Sequence, residues 1–250
     1  MNKYLLVISF LSLNFCFSEV ITGYQIAEMI NNQPQPSNSK SNIIMNLINT
    51  KKNRERKSEM FSISKDDGNK MLLFFKSPKR DKGIGFLKIE SEETDKMSLF
   101  IPKLKKIRRI SSNKQSDSFM GSDLSYEDML SRDLDKFNYK IISEDDNFYI
   151  LKTTPKNNDS EYSWHKSWVS KQDLFIVKEE SYDKKNKLLK EKFFEHTIIS
   201  NYKLISKINV HNVQKNHRTV LEINNLEING DISDDIFQEK NLKRFEKFTN

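Results

Sequence analysis

The sequence predicts a mainly β domain with a few helices, an α+β chain organised around an antiparallel sheet. Three observations carry this. From Arg54 onward, Phe, Ile, Tyr and Leu recur at spacing two in short runs, the period of strands with one buried face. Turn residues interrupt those runs at intervals of about ten positions, as in hairpin-linked strands. Met71 to Phe75 is apolar at every position, the pattern of a strand shielded on both faces.

The N-terminus, residues 1–18, reads as a secretory signal peptide. Lys3 precedes the apolar run Leu5 to Leu13, and Ser18 is a small residue where cleavage is expected. That run falls short of the roughly 20 apolar residues a transmembrane helix needs. Cys16 invites comparison with a lipidated cysteine, but Phe15 before it is too bulky for that pattern. Cleavage after Ser18 removes the one cysteine, which excludes disulfides, thiol catalysis and cysteine-ligated zinc. Residues 19–250 have a length that one β-rich domain fills. Without Lys3, 41 Lys and Arg stand against 35 Asp and Glu, a net charge near +6. Such a balance reads chiefly as solubility, and secondarily as attraction to anionic surfaces.

The first element after the leader is a helix. Thr22 and Gln25 have capping-box spacing, and Ile21 and Ile26 stand where a hydrophobic staple closes. Asn31 to Pro34 stops it, Pro34 to Asn42 reads as a loop, and Ile43 to Ile48 is taken as a short helical turn in preference to a strand. Strands are predicted over Glu59–Ser64, Lys70–Lys76, Gly85–Glu90, Lys96–Ile101, Lys105–Ile110, Tyr139–Ser143, Phe148–Thr153, Tyr162–Val169, Leu174–Ser181, Leu188–His196, Ile198–Val210 and Arg218–Glu227. Asp66 to Asn69 and Asp183 to Asn186 fit hairpin turns. A helix starting at Ser125, with Asp128 as its capping partner and Met129, Leu130 and Leu134 following, interrupts the sheet. A last helix is predicted over Asp234 to Phe245.

Catalytic and cofactor chemistry find little support. Six glycines supply no phosphate loop, and Gly83-Ile84-Gly85 lacks a third glycine before a helix. Ser122 has a glycine before it but no Gly-x-Ser-x-Gly elbow. His165, His196, His211 and His217 lack zinc-helix spacing, and His211 and His217 fit a hairpin meeting at most. The chain therefore reads as no enzyme, with no metal and no cofactor.

Two segments stand out as candidate sites. Lys103, Lys105, Lys106 and Arg108, with Arg109 beside them, alternate with apolar residues as on a strand with one charged face, a candidate contact for an anionic surface or acidic partner. No aromatics are interleaved, which argues against nucleic acid. Phe119, Met120, Gly121, Ser122, Asp123 and Tyr126 form an apolar pair, a glycine turn and an aromatic, suited to a mobile gate or a packing corner.

Lys106 to Ile110, Ser118 to Asp123 and Ser125 to Asp128 are together similar to a stretch of the LolA-like family of outer-membrane lipoprotein-sorting proteins. Gly83 to Leu87, Leu99 to Pro102 and Glu180 to Lys190 resemble further pieces in the same order, so the likeness runs from about Arg54 to Phe245. Its turns carry Lys, Asn and Asp where the family more often has Gly. The resemblance implies an incomplete barrel: a strongly curved antiparallel sheet whose concave apolar face is covered by helices and holds acyl chains. It implies a periplasmic carrier that shuttles lipids or lipoproteins from the inner toward the outer membrane. The fourteen phenylalanines after the leader suit such a lining. Lacking nucleotide chemistry, the chain is expected to be loaded by an inner-membrane transporter and to touch membranes transiently. Arg109 and the Phe119–Tyr126 segment are its expected cargo or gate residues. The alternative reading is a non-catalytic periplasmic adaptor for a transporter or an exported protein; a hydrolase built on Ser122 is the third.

Overall fold

Residues 20–91 and 93–249 are described by a computed structural model of the chain. The signal peptide read over 1–18, with Cys16, lies outside them. Helix α1 (Gly23–Asn31) forms as its caps dictate: the Thr22 hydroxyl accepts the Gln25 N–H at 3.2 Å, and the Gln25 side chain accepts the Thr22 N–H at 2.8 Å. Ile26 is fully buried with Leu151 and Val169, and Ile21 packs on the same cluster.

Thirteen strands follow: β1 (Asn38–Asn49), β2 (Arg54–Lys65), β3 (Lys70–Ser77), β4 (Gly85–Ile89), β5 (Lys96–Ile101), β6 (Lys106–Ile110), β7 (Phe137–Glu144), β8 (Phe148–Pro155), β9 (Tyr162–Ser170), β10 (Ile176–Asp183), β11 (Leu188–Ile199), β12 (Tyr202–Asn212) and β13 (His217–Ile228). They form one antiparallel sheet in the order β6-β5-β4-β3-β2-β1-β13-β12-β11-β10-β9-β8-β7. Two meanders thus meet at the β1–β13 pair, and β6 and β7, consecutive along the chain, are the two outer edges. Both predicted hairpin turns form, with Asp66, Asp67 and Asn186 at φ of 54, 55 and 57°.

Strand β1 corrects the loop read over Pro34 to Asn42 and the helical turn read over Ile43 to Ile48. It pairs with β2 from Asn38–Lys65 to Asn49–Arg54, and with β13 on its other side. Apolar Ile44 and Ile48 at outward positions concealed a period of two, in which Ile43, Met45 and Leu47 meet the core. Pairing on both sides decides the conformation of such a segment more than its own propensity does.

The sheet curls and does not close. Met129 accepts from Lys88 of β4 at 2.8 Å, while its neighbour Asp128 accepts from Lys190 of β11 at 2.8 Å. Those strands lie six spacings apart, about 29 Å on a flat sheet. One peptide unit and two lysines bridge that only if the sheet bends round to bring the strands together. Register shifts within β1, β7, β10 and β11 supply local bends of the kind that curvature requires.

Strand β3 is apolar from Met71 to Phe75 because both its faces are covered. Leu73 and Phe75 face the concave core with Met45, Met60, Phe86 and Phe119; Leu72 and Phe74 face an outer core with Leu87, Ile232, Phe237 and Leu242. The outer cover is the C-terminal segment, which replaces the helix predicted over Asp234 to Phe245. It folds as 3₁₀ turns Asp234–Ile236 and Glu239–Lys243 followed by α2 (Phe245–Thr249). Asn241, buried beneath it, donates to the carbonyls of Asp235 and Ile236 at 2.9 Å each. Those carbonyls are thereby turned away from a continuous helical ladder, and Ile232, Phe237 and Leu242 all lie on the sheet.

Candidate functional site

The site is built by the connection from β6 to β7, residues 111–136, which has to travel from one edge of the sheet to the other. It runs as a strap across the concave face. Near its middle, Ser118 and Ser125 pair as an isolated bridge, and the Phe119 N–H donates to the Leu124 carbonyl at 2.8 Å. The turn this closes needs left-handed backbone at Met120 (φ 52°) and Gly121 (φ 81°), which explains the glycine.

Most of the predicted Phe119–Tyr126 group is buried as a unit. Phe119 packs edge-on to Phe86 and Tyr126, with ring centroids 5.1 and 5.7 Å apart. Asp123 accepts from the Thr219 hydroxyl and from His217 Nδ1, both at 2.7 Å, and its own N–H donates to Thr219. Ser122 is buried, bonded to Leu124, and Arg56 of β2 donates to the Met120 carbonyl at 2.9 Å. Arg109 stands apart from this group. It lies on the other face of β6, is exposed, and grips Glu239 of the C-terminal segment at 2.8 and 3.2 Å. Lys103, Lys105, Lys106 and Arg108 are exposed at the β6 edge. His211 and His217 do not pair; His211 faces Arg218 and His217 faces Asn212.

Beneath the strap lies a hollow of about 930 Å³, toward the upper end of the roughly 300–1,000 Å³ common for small-molecule sites. Helix α1 closes part of it with Ala27 and Ile30. Its apolar wall runs from Ile43, Met45, Met60 and Leu73 on one side to Phe194, Ile208, Leu221 and Ile223 on the other, with Leu124, Met129 and Leu130 of the strap above. Phenylalanine contributes less than its abundance suggested: Phe74, Phe75 and Phe86 are spent on the two cores, and Phe119, Phe137 and Phe194 are those that reach the hollow.

The opposite wall is polar and charged. Asp128 accepts from Tyr162 at 2.9 Å, from Lys190 at 2.8 Å and from Lys192. Glu179 of β10 accepts two bonds from Arg132, at 2.5 and 2.8 Å, and further bonds from Ser167, Ser181 and Lys192. His165 bonds Ser181 at 2.9 Å. Asp128, Glu179, Lys190 and Lys192 are almost wholly buried, and such charges persist only because each is matched. Burial alone would push both carboxyls up, but Lys192 and Lys190 hold Asp128, and Arg132 and Lys192 hold Glu179, well below the usual range. Burial, reinforced by the Arg132 charge, keeps the His165 imidazole well below its ordinary pKa and therefore neutral. Burial and the neighbouring Asp128 raise Tyr162 well above the usual phenol value. This arrangement has no free base beside a nucleophile; its groups satisfy one another.

The helix predicted from Ser125 is corrected here. Ser125 and Asp128 do form reciprocal bonds, at 2.9 and 3.3 Å, yet only a 3₁₀ turn, Glu127–Met129, results. Leu130 is already extended, and beyond it the Ser131 N–H is held by Glu90 and Arg132 by Glu179. These tertiary anchors pull the chain straight where capping alone would have begun a helix. Sequence reasoning missed Arg132, Glu179, Lys190 and Lys192. The available signal was Lys190, Lys192 and Phe194 at spacing two, charges on the same inward face as an aromatic.

An open, curled antiparallel sheet around a lined hollow is a fold of the lipoprotein-sorting, carrier type. A family model described as an uncharacterized protein matches residues 67–244, well over half of the chain, and the chain belongs to this LolA-like family. Among solved structures it is similar to a putative outer membrane lipoprotein-sorting protein domain from Vibrio parahaemolyticus, with 26% identity, 89% of this chain and 98% of that chain covered, and a TM-score of 0.82. A DUF1329 family protein from Desulfovibrio piger is 28% identical over 88% of this chain and 97% of that one, TM-score 0.82. A LolA superfamily protein from Nitrosomonas europaea, 17% identical over 88% of this chain and 99% of that one with a TM-score of 0.71, shares the fold. No curated protein matches the chain.

Proposed function

We propose that this chain is a non-catalytic periplasmic carrier that takes acyl chains of lipids or lipoproteins into the hollow and moves them from the inner toward the outer membrane. The observation that carries the reading is the hollow itself: an apolar wall of Met, Leu and Ile beneath a strap, with a charged wall opposite. Its likeness to a lipoprotein-sorting domain supports the same reading. Exposing an acyl chain to water costs about 0.8 kcal/mol per CH₂, so a chain of about 16 carbons costs on the order of 10 kcal/mol. Such cargo needs a dry container to cross an aqueous space. An inner-membrane transporter is the proposed source of the cargo, because the sequence holds no nucleotide-binding loop to power extraction.

Native mass spectrometry of the chain purified from a periplasm is the test. Lipid or an acylated peptide is expected in the bound fraction, and an environment-sensitive apolar dye should enter the emptied hollow and be displaced by fatty acid. A chain that never carries lipid and never shifts the dye overturns the proposal, and one protein partner on an empty hollow would favour an adaptor.

A further inference from the structure

A second surface lies at the other side of the fold from the strap. The β3–β4 loop, the start of the β5–β6 turn and the C-terminal segment converge there on an open hollow of about 520 Å³. Its lining holds Lys79, Lys82, Lys243, Arg244 and Lys247 against the single acid Glu246. All five basic residues are exposed, and none forms an ion pair among the described residues. By contrast, Lys65, Lys70, Lys136, Lys171, Lys178 and Lys203 each meet a carboxylate within 4 Å. Lys103 and Lys105, also exposed and without an ion pair among the described residues, follow Pro102, which lines the hollow.

Basic side chains without an ion pair among the described residues thus gather here over a floor made by Phe100, Pro102 and Phe245. The geometry points to an anionic phospholipid surface as the occupant, with this end of the molecule as the face by which the carrier docks on a membrane. Charge complementarity selects the class of partner. The choice of cation selects between a surface and a discrete ligand. Six of these seven charges are lysines, flexible and strongly hydrated point charges, where recognition of one carboxylate or phosphate would favour the planar fork of arginine. The lysines also stand on three separate segments, spread over a rim and not focused on one point. The Lys82 ammonium stands over the Phe245 ring, 5.3 Å from its centroid, so this cation sits directly above the apolar floor. The inference rests on the carrier reading for the membrane to be visited, but its test reads this surface separately from the strap-covered hollow.

The test is co-sedimentation of the purified chain with phosphatidylcholine vesicles, with and without phosphatidylglycerol, across a salt series. Binding is expected only to the phosphatidylglycerol vesicles, and should fade as salt rises. The triple variant K79Q/K243Q/K247Q should weaken it by about two orders of magnitude, since each lysine near an anionic leaflet contributes about fivefold. A control, K184Q/K185Q/K187Q in the β10–β11 turn, makes the same change in net charge and should bind as the parent does. Arginine at the three patch positions should restore binding, which separates loss of charge from loss of fold. Equal weakening by both glutamine triples, or no binding at low salt, overturns the proposal. So does retention on polyglutamate through the patch lysines without vesicle binding, which would assign the patch to an acidic protein. Dye binding in the strap-covered hollow is expected to be the same in all variants, so failure of docking and failure of the carrier reading give different results.

Discussion

Arg132, near the end of the strap, holds Glu179 of β10 through two guanidinium nitrogens, at 2.5 and 2.8 Å. The two are 47 residues apart in sequence, and their contact fixes where the strap crosses the second meander. Glu179 keeps 3% of its side-chain surface and Arg132 keeps 30%, which faces the hollow it lines. The pair is thus both a fastening and part of the wall.

Removing one partner of this pair leaves an uncompensated charge inside the fold. Glu179→Gln is expected to destabilise the protein by roughly 3–5 kcal/mol, the range for breaking a buried ion pair, measured as a lowered urea midpoint at unchanged slope. The double variant Glu179→Gln/Arg132→Met should recover much of the loss, because neither charge then lies buried alone. A single variant as stable as the parent would show that the strap is not held there.

Stability should fall with acid in two stages. His165 has a folded pKa depressed below its ordinary value of about 6.5, so its contribution is complete above that value and declines as pH drops below it, where the unfolded chain takes up the proton first. Asp128 and Glu179, also depressed, contribute fully above about pH 4.5 and lose that contribution as pH falls further. Denaturant midpoints followed from pH 8 to pH 3 should show both declines. His165→Gln should diminish the first, leaving the share of His196, which burial also depresses, and leave the second.

Much of this fold is legible in the sequence because strands with one wet face display their period openly. Thr22 and Gln25 announce α1, and β3 to β6 fall within a residue or two of expectation because turn residues bracket them. Strand β1 was hidden, since one of its two partners, β13, lies at the far end of the chain and apolar Ile44 and Ile48 at outward positions blur its alternation. The strap misled for a different reason: its Ser125–Asp128 cap is real, but Asp128 is also the anion for Lys190 and Lys192, more than 60 positions away. Local spacing shows the Phe119–Tyr126 motif. It shows neither the charges that meet it across the curl of the sheet nor the separation of Arg109, which alternation places on the opposite face of β6.

The hollow should be separable from the stability of the fold. Ile223 of β13 lines it and faces open space, so Ile223→Trp is expected to occupy volume that cargo would use. Dye affinity should drop at least about tenfold, the equivalent of 1.4 kcal/mol, with little change in thermal midpoint. A large fall in midpoint would mean instead that the wall closes up and leaves no room to fill.

The outer cover depends on a close approach at Gly85. A side-chain carbon built there would sit 2.9 Å from the Leu242 carbonyl oxygen and 3.0 Å from the Phe74 ring. The backbone of the C-terminal segment has no flexible end to yield at that contact, so Gly85→Ala is expected to lift Leu242, which is wholly buried in the parent, off the sheet. Loss of that one side chain from its pocket is worth on the order of 2–5 kcal/mol. The consequence is local because Leu73 and Phe75, on the other face of β3, pack against the strap and not against this segment. Limited proteolysis of the variant should therefore cut within residues 230–249 while the strap stays protected, and dye uptake by the hollow should persist. Simultaneous cutting in the strap would show that the two faces of β3 open together.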